Sequence, residues 1–148
     1  MADELVAKIH AQGLDCQDVE VEITEGEWLR VNSLPGEQLK RMASSGIRLG
    51  VDDFGSGYSN FGYLTELPIH TLKLDKSLID DISEDQRALL KVQAIVGLAH
   101  DLGYSTVAEG AETNGQVAKL QGLGCDEIQG FALSRPISAI ELAELLAP

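Results

Sequence analysis

The stretch LGVDDFGSGYSNF, residues 49–61, sets two adjacent carboxylates, Asp52 and Asp53, at the end of an apolar run. Side chains on a strand alternate faces, so neighbouring aspartates share a site only where the backbone leaves the pleat. Glu22, Lys73, Glu109 and Gln129 also lie at or near the carboxyl ends of strand-like runs. Crowded carboxylates raise one another's pKa unless a cation neutralises them. An all-oxygen donor set suits a hard divalent ion, Mg2+ or Mn2+. One of the two aspartates can bridge a pair of ions while the next holds only the second. Ions paired about 3.5–4 Å apart are a recurring device for phosphodiester hydrolysis. Lys73, the lone cation of the set, would hold the attacking water or offset charge in the transition state.

Such residues need elements that bring them together. Residues 3–12 carry Leu5, Val6 and Ile9 at helical spacing, and Gly13 stops the run. Val19 to Glu25, VEVEITE, alternates with period two. A helix follows over Pro35–Ser44, then a strand over Ile47–Val51. A short helix near Asn60–Glu66 leads to a strand over His70–Leu74. The longest helix runs from about Glu84 to Leu102, with Gly103 as its stop. A strand in YSTVAEG, a helix around Gln116–Leu120, a strand in CDEIQGF and a final helix complete the chain. Ser138 and Glu141 form a capping box opening that last helix. The alternation predicts five consecutive βα units with parallel strands. In such architectures the carboxyl edge of the sheet gathers the functional residues, so five polar side chains converge on one mouth.

Composition narrows the function classes. Eleven basic against twenty-four acidic residues give a net charge of −13 over 148 residues. That balance repels a nucleic-acid polymer, whose binding depends on basic side chains displacing counterions. A small anionic ligand remains compatible if metal supplies positive charge. No apolar run reaches membrane-spanning length, and the basic start of a signal peptide is lacking, so a cytoplasmic setting is expected. Cys16 and Cys125 then read as reduced thiols. Asp53-Phe54-Gly55 matches the kinase metal-binding triplet without that fold's other motifs. Gly55-x-Gly57-x-x-Asn60 lacks the third glycine of a dinucleotide fingerprint. His10, His70 and His100 are scattered and read as surface or capping residues.

EITE (22–25), DDFGSGYSNF (52–61), LKLDKSL (72–78), AEGAET (108–113) and GCDEIQGFALSRP (124–136) together resemble the EAL-domain phosphodiesterases of bacterial cyclic di-GMP signalling. The resemblance implies a modified (β/α)8 barrel of the TIM type and a two-metal site. It implies cyclic di-GMP as substrate, opened to linear pGpG. Glu22, Asp52, Asp53 and Glu109 then match metal ligands, with Glu109 also a candidate base. Lys73 matches the lysine that contacts the nucleophilic water, and Gln129 the glutamine beside the site. Glu25 resembles the glutamate anchoring the loop after the paired aspartates. Asp75 and Glu112 match further acidic positions, with support of the ligands as their nearest alternative.

The family's opening Glu-Ala-Leu strand, the arginine after it and a later metal-binding asparagine have no counterpart here. Residues 1–148 therefore read as a partial domain, an incomplete barrel of about five βα units. Two expectations follow: impaired hydrolysis by this chain alone, or a non-catalytic remnant that binds cyclic di-GMP, metal or protein. Five strands would leave two sheet edges and one apolar face uncovered, which predicts a homo-oligomer.

Overall fold

The computed structural model describes residues 1–24, 34–57, 64–65 and 68–147. Helix α1 spans Ala2–Ala11, and Gly13 ends it with a φ of +74°. A 3-10 turn at Cys16–Asp18 leads into β1, Glu20–Thr24. Then come α2 (Leu34–Ser44), β2 (Arg48–Phe54), β3 (Thr71–Leu74) and α3 (Lys76–Ile79). The longest described helix is α4, Gln86–Asp101, which begins two residues later than its sequence pattern suggests. Asp85 caps it by accepting from the Arg87 N–H. β4 (Ser105–Ala108), α5 (Asn114–Gly122), β5 (Glu127–Ile128) and α6 (Ala139–Leu145) complete the order. Of the short helix expected near 60–66 only residues 64–65 are described, as a turn; the rest falls outside the described residues, as does Glu25.

All neighbouring strands pair in parallel, in the order β1-β2-β3-β4-β5. Sequential order without a reversal is the winding of a (β/α)8 barrel, here, among the described residues, as an open five-stranded arc. Three elements differ from expectation. β2 runs on to Phe54, so both aspartates lie within the strand. β5 is only two residues long, because Gln129 and Gly130 already turn toward the loop after β4. A helical turn, α3, follows β3 directly because Asp75 caps it through the Ser77 N–H.

One face of the arc is apolar and covered by helices. Ile23, Val51, Leu72, Leu74 and Ala108 from the strands pack with Val92, Val96 and Ala99 of α4. A second cluster joins Ile9 of α1, Cys16, Met42 of α2, Ile47 and Leu49. The opposite face corrects the expectation of an uncovered apolar surface. It is polar: Arg48 Nε lies 3.3 Å from Glu20 Oε2, and the Thr71 hydroxyl donates to the same oxygen at 2.7 Å. Gly50, paired with Glu22, keeps this layer open, since a Cβ there would meet Glu20 Oε1 at 3.0 Å. Exposed apolar side chains are instead concentrated after β5, at Phe131, Leu133, Ile137, Ile140, Leu142, Leu145 and Leu146.

Both cysteines are free thiols. His70 Nδ1 accepts from the Leu49 N–H at 3.3 Å, His100 pairs with Asp126, and His10 Nε2 lies 3.6 Å from Cys16 Sγ, so all three histidines tie elements together. No helix among the described residues is long and apolar enough to cross a membrane.

Candidate metal centre

The end of β2 explains how adjacent aspartates reach one place. Asp53 has a φ of +55°, and the pairing of β2 with β3 shifts register between Val51 and Phe54. That irregularity removes the strict alternation of a flat strand. Aspartate tolerates the left-handed region better than most residues, so this break is cheap in sequence terms. Gly55, at φ +96°, continues the turn; a Cβ there would lie 2.4 Å from Leu78 Cδ1. The Asp75 N–H donates to the Phe54 carbonyl at 3.1 Å, fastening the β3–α3 turn to the same place.

Oxygen atoms of Asp52, Asp53 and Glu109 lie within 4.8 Å of one another. Glu109 reaches them from the residue after β4, where its N–H is held by the Leu74 carbonyl at 3.1 Å. Lys73, on the central strand β3, projects onto the polar face. Its Nζ lies 2.9 Å from Glu22, 3.0 Å from Asp52 and 2.7 Å from Glu109. Side chains from β1, β2 and the end of β4 therefore meet on one ammonium. Glu22 touches the cluster through Lys73 and stands outside the tight carboxylate trio.

Burial tends to discharge Lys73, but the carboxylates of Glu109, Glu22 and Asp52 outweigh it and hold the pKa above the ordinary lysine value. The group is a fixed positive charge. Asp52 Oδ1 is buried, and its contact with the Lys73 ammonium 3.0 Å away is an ion pair that leaves it without a hydrogen-bond partner. A buried carboxylate oxygen with spare capacity, inside an all-oxygen group, fits a hard divalent cation.

A cavity of about 390 Å3 adjoins the cluster, lined by Asp75, Lys76, Glu109, Glu112, Gln129 and Phe131 among others. Asp75 is occupied as the cap of α3, accepting from both the Ser77 N–H and hydroxyl. Glu112 pairs with Lys76 at 3.3 Å. Gln129 is placed by its backbone, donating to the Ala108 carbonyl and accepting from the Ala111 N–H. Asp75, Glu112 and Gln129 thus border the cavity beside Glu109, the trio member that lines it. Sequence reasoning assigned nothing to Lys76 or Phe131. Lys76 follows a strand end by two residues, and that position was the available signal.

This chain has relatives in sequence and in fold. It is 40% identical over 144 residues to a cyclic di-GMP phosphodiesterase of Pseudomonas aeruginosa, PA2567, covering 97% of this chain and 24% of that protein. The chain thus spans about a quarter of that relative's length. The EAL domain of Mycobacterium smegmatis DcpA superposes with a TM-score of 0.86 at 34% identity, covering 98% of this chain and 65% of that one. A manganese and cyclic di-GMP complex of Klebsiella pneumoniae BlrP1 gives 0.85 at 35% identity, over 90% of this chain and 34% of that one. The EAL domain model matches residues 1–136, and the chain belongs to the EAL domain family.

Proposed function

We propose that this chain is the part of a phosphodiesterase domain that holds divalent metal against cyclic di-GMP and contributes to its opening to linear pGpG. The observation that carries this reading is the Asp52, Asp53 and Glu109 trio, set beside Lys73 at the carboxyl edge of a parallel sheet. Asp52, Asp53, Glu109 and Glu22 are assigned as metal ligands, and Mg2+ or Mn2+ as the ion. The manganese complex of BlrP1 supports that choice by family likeness. Bound there, the metal would supply Lewis acidity toward a phosphate oxygen and an acidified water. Lys73 is charged and aimed at the same place, where it orients water or balances phosphate charge. Glu109, in reach of Lys73 and the aspartates, is placed to accept a proton. Gln129 and Glu112 border the adjoining cavity, where they face the ligand or steady the groups that do.

Residues 1–148 are proposed to turn over substrate more slowly than a version extended upstream to include a Glu-Ala-Leu strand. Fewer ligands hold an ion less rigidly, and misplacement by about 1 Å costs roughly 10²-fold in rate. The experiment is incubation with cyclic di-GMP and Mn2+, following pGpG by chromatography. Asp52→Asn should abolish what turnover the extended version shows. Full activity in that variant would overturn the site, and equal rates for short and extended chains would overturn the proposed impairment.

Self-association is proposed through the β5 edge and the apolar residues that follow it, with a second copy as occupant. The polar open face is unsuited to a dry interface. Leu133→Asp with Leu145→Asp should lower the mass seen by light scattering. A monomeric parent chain at high micromolar concentration would remove this proposal.

A further inference from the structure

We infer that Lys73 is the resident counter-cation of the carboxylate cluster, keeping it assembled without metal and lowering its affinity for metal. The inference rests on the metal reading proposed above. Three carboxylates from separate parts of the sheet lie within 3.0 Å of one nitrogen, and that nitrogen belongs to a side chain only 13% exposed. Without a cation, Glu22, Asp52 and Glu109 would face one another across the arc and repel. Lys73 is tethered to the strand between them, so it supplies positive charge wherever the sheet is folded.

The same contacts oppose metal entry. Asp52 and Glu109 belong both to the Lys73 contacts and to the trio that fits a divalent ion. An ion seated on that trio shares two carboxylates with a fixed ammonium, and like charges repel at that range. Carboxylates already balanced by Lys73 also gain less from a second cation. Both effects act in one direction. A metal held by Asp52 and Glu109 would compete with the ammonium for their oxygens and leave it freer to meet water or phosphate. Lys73 therefore couples the metal-loaded state to its own availability.

The test compares the parent chain with Lys73→Met, which keeps the length of the stem and removes the charge. Thermal unfolding in EDTA and in Mn2+, and calorimetric titration with Mn2+, are the readouts. Lys73→Met should melt lower than the parent in EDTA, gain more from Mn2+, and bind Mn2+ about tenfold more tightly. Glu22→Gln added to Lys73→Met should recover part of the loss in EDTA, because one of the repelling carboxylates is gone. Weaker or unchanged Mn2+ binding by Lys73→Met, with the parent binding normally, overturns the inference. A Lys73→Met chain that stays unfolded in Mn2+ and is not improved by Glu22→Gln also overturns it, since packing and not charge would then be the role. No Mn2+ binding by the parent itself overturns the metal reading beneath it, a result distinct from either.

Discussion

Gly130 is pressed against the backbone of Ala111: a Cβ added at Gly130 would sit 2.1 Å from the Ala111 carbonyl oxygen. The two segments are locked there by hydrogen bonds from the Ala111 N–H to the Gln129 carbonyl and from the Ala132 N–H to the Ala111 carbonyl. Backbone cannot rotate aside as a side chain does, so Gly130→Ala must push the β5 end away from β4. A loss of at least about 1–3 kcal/mol is expected, the usual range for overpacking. Gly122→Ala serves as the control, because a Cβ there meets nothing within 4 Å. Urea unfolding should show a lower midpoint for Gly130→Ala, and an unchanged or slightly higher one for Gly122→Ala.

His100 and Asp126 join α4 to the turn before β5, with Nε2 2.8 Å from Oδ2. Asp126 also accepts from the N–H and the hydroxyl of Thr106, a fully buried residue. Burial pushes the Asp126 carboxyl up, but the His100 and Thr106 contacts outweigh it, so its pKa lies below the ordinary value. A depressed carboxylate stabilises the fold above its unfolded pKa, about 3.9. That stability is lost as pH falls through the folded value. Asp126→Ala should cost about 1–3 kcal/mol near neutrality, mostly through the unpaired Thr106 groups. Melting curves from pH 7 to pH 2.5 should show the gap between parent and variant narrowing below about pH 4. A gap that widens in acid would contradict the assignment.

Asp53 separates stability from function. Its left-handed conformation suits asparagine equally well, so Asp53→Asn leaves the backbone unstrained. It also removes one charge from a crowded carboxylate group. In EDTA the variant should melt at or above the parent temperature. In Mn2+ its gain should shrink, with metal affinity reduced by about tenfold or more. Equal metal-induced shifts in parent and variant would exclude Asp53 as a ligand.

The sequence determined the elements of this protein and their faces. Gly13 and Gly103 end helices at φ +74° and +82°, where a glycine stop was legible. Ser138 and Glu141 form the capping box that their spacing announced. Period-two alternation in VEVEITE was also readable, because it concerns a residue and its own strand. The residues at the strand ends could be named for the same reason.

Tertiary structure decided how those residues meet. Lys73 touches Glu22, Asp52 and Glu109 because parallel register and the curvature of the arc bring three distant segments to one atom. The turn of Asp53, the brevity of β5 and the closeness of Gly130 to Ala111 likewise depend on neighbouring strands. So does the polar open face, where Glu20 finds Arg48 and Thr71 across two neighbouring strands. Local periodicity fixes the direction in which a side chain leaves its own element. The partner it meets depends on register, twist and burial across elements, and these exist only once the chain has packed.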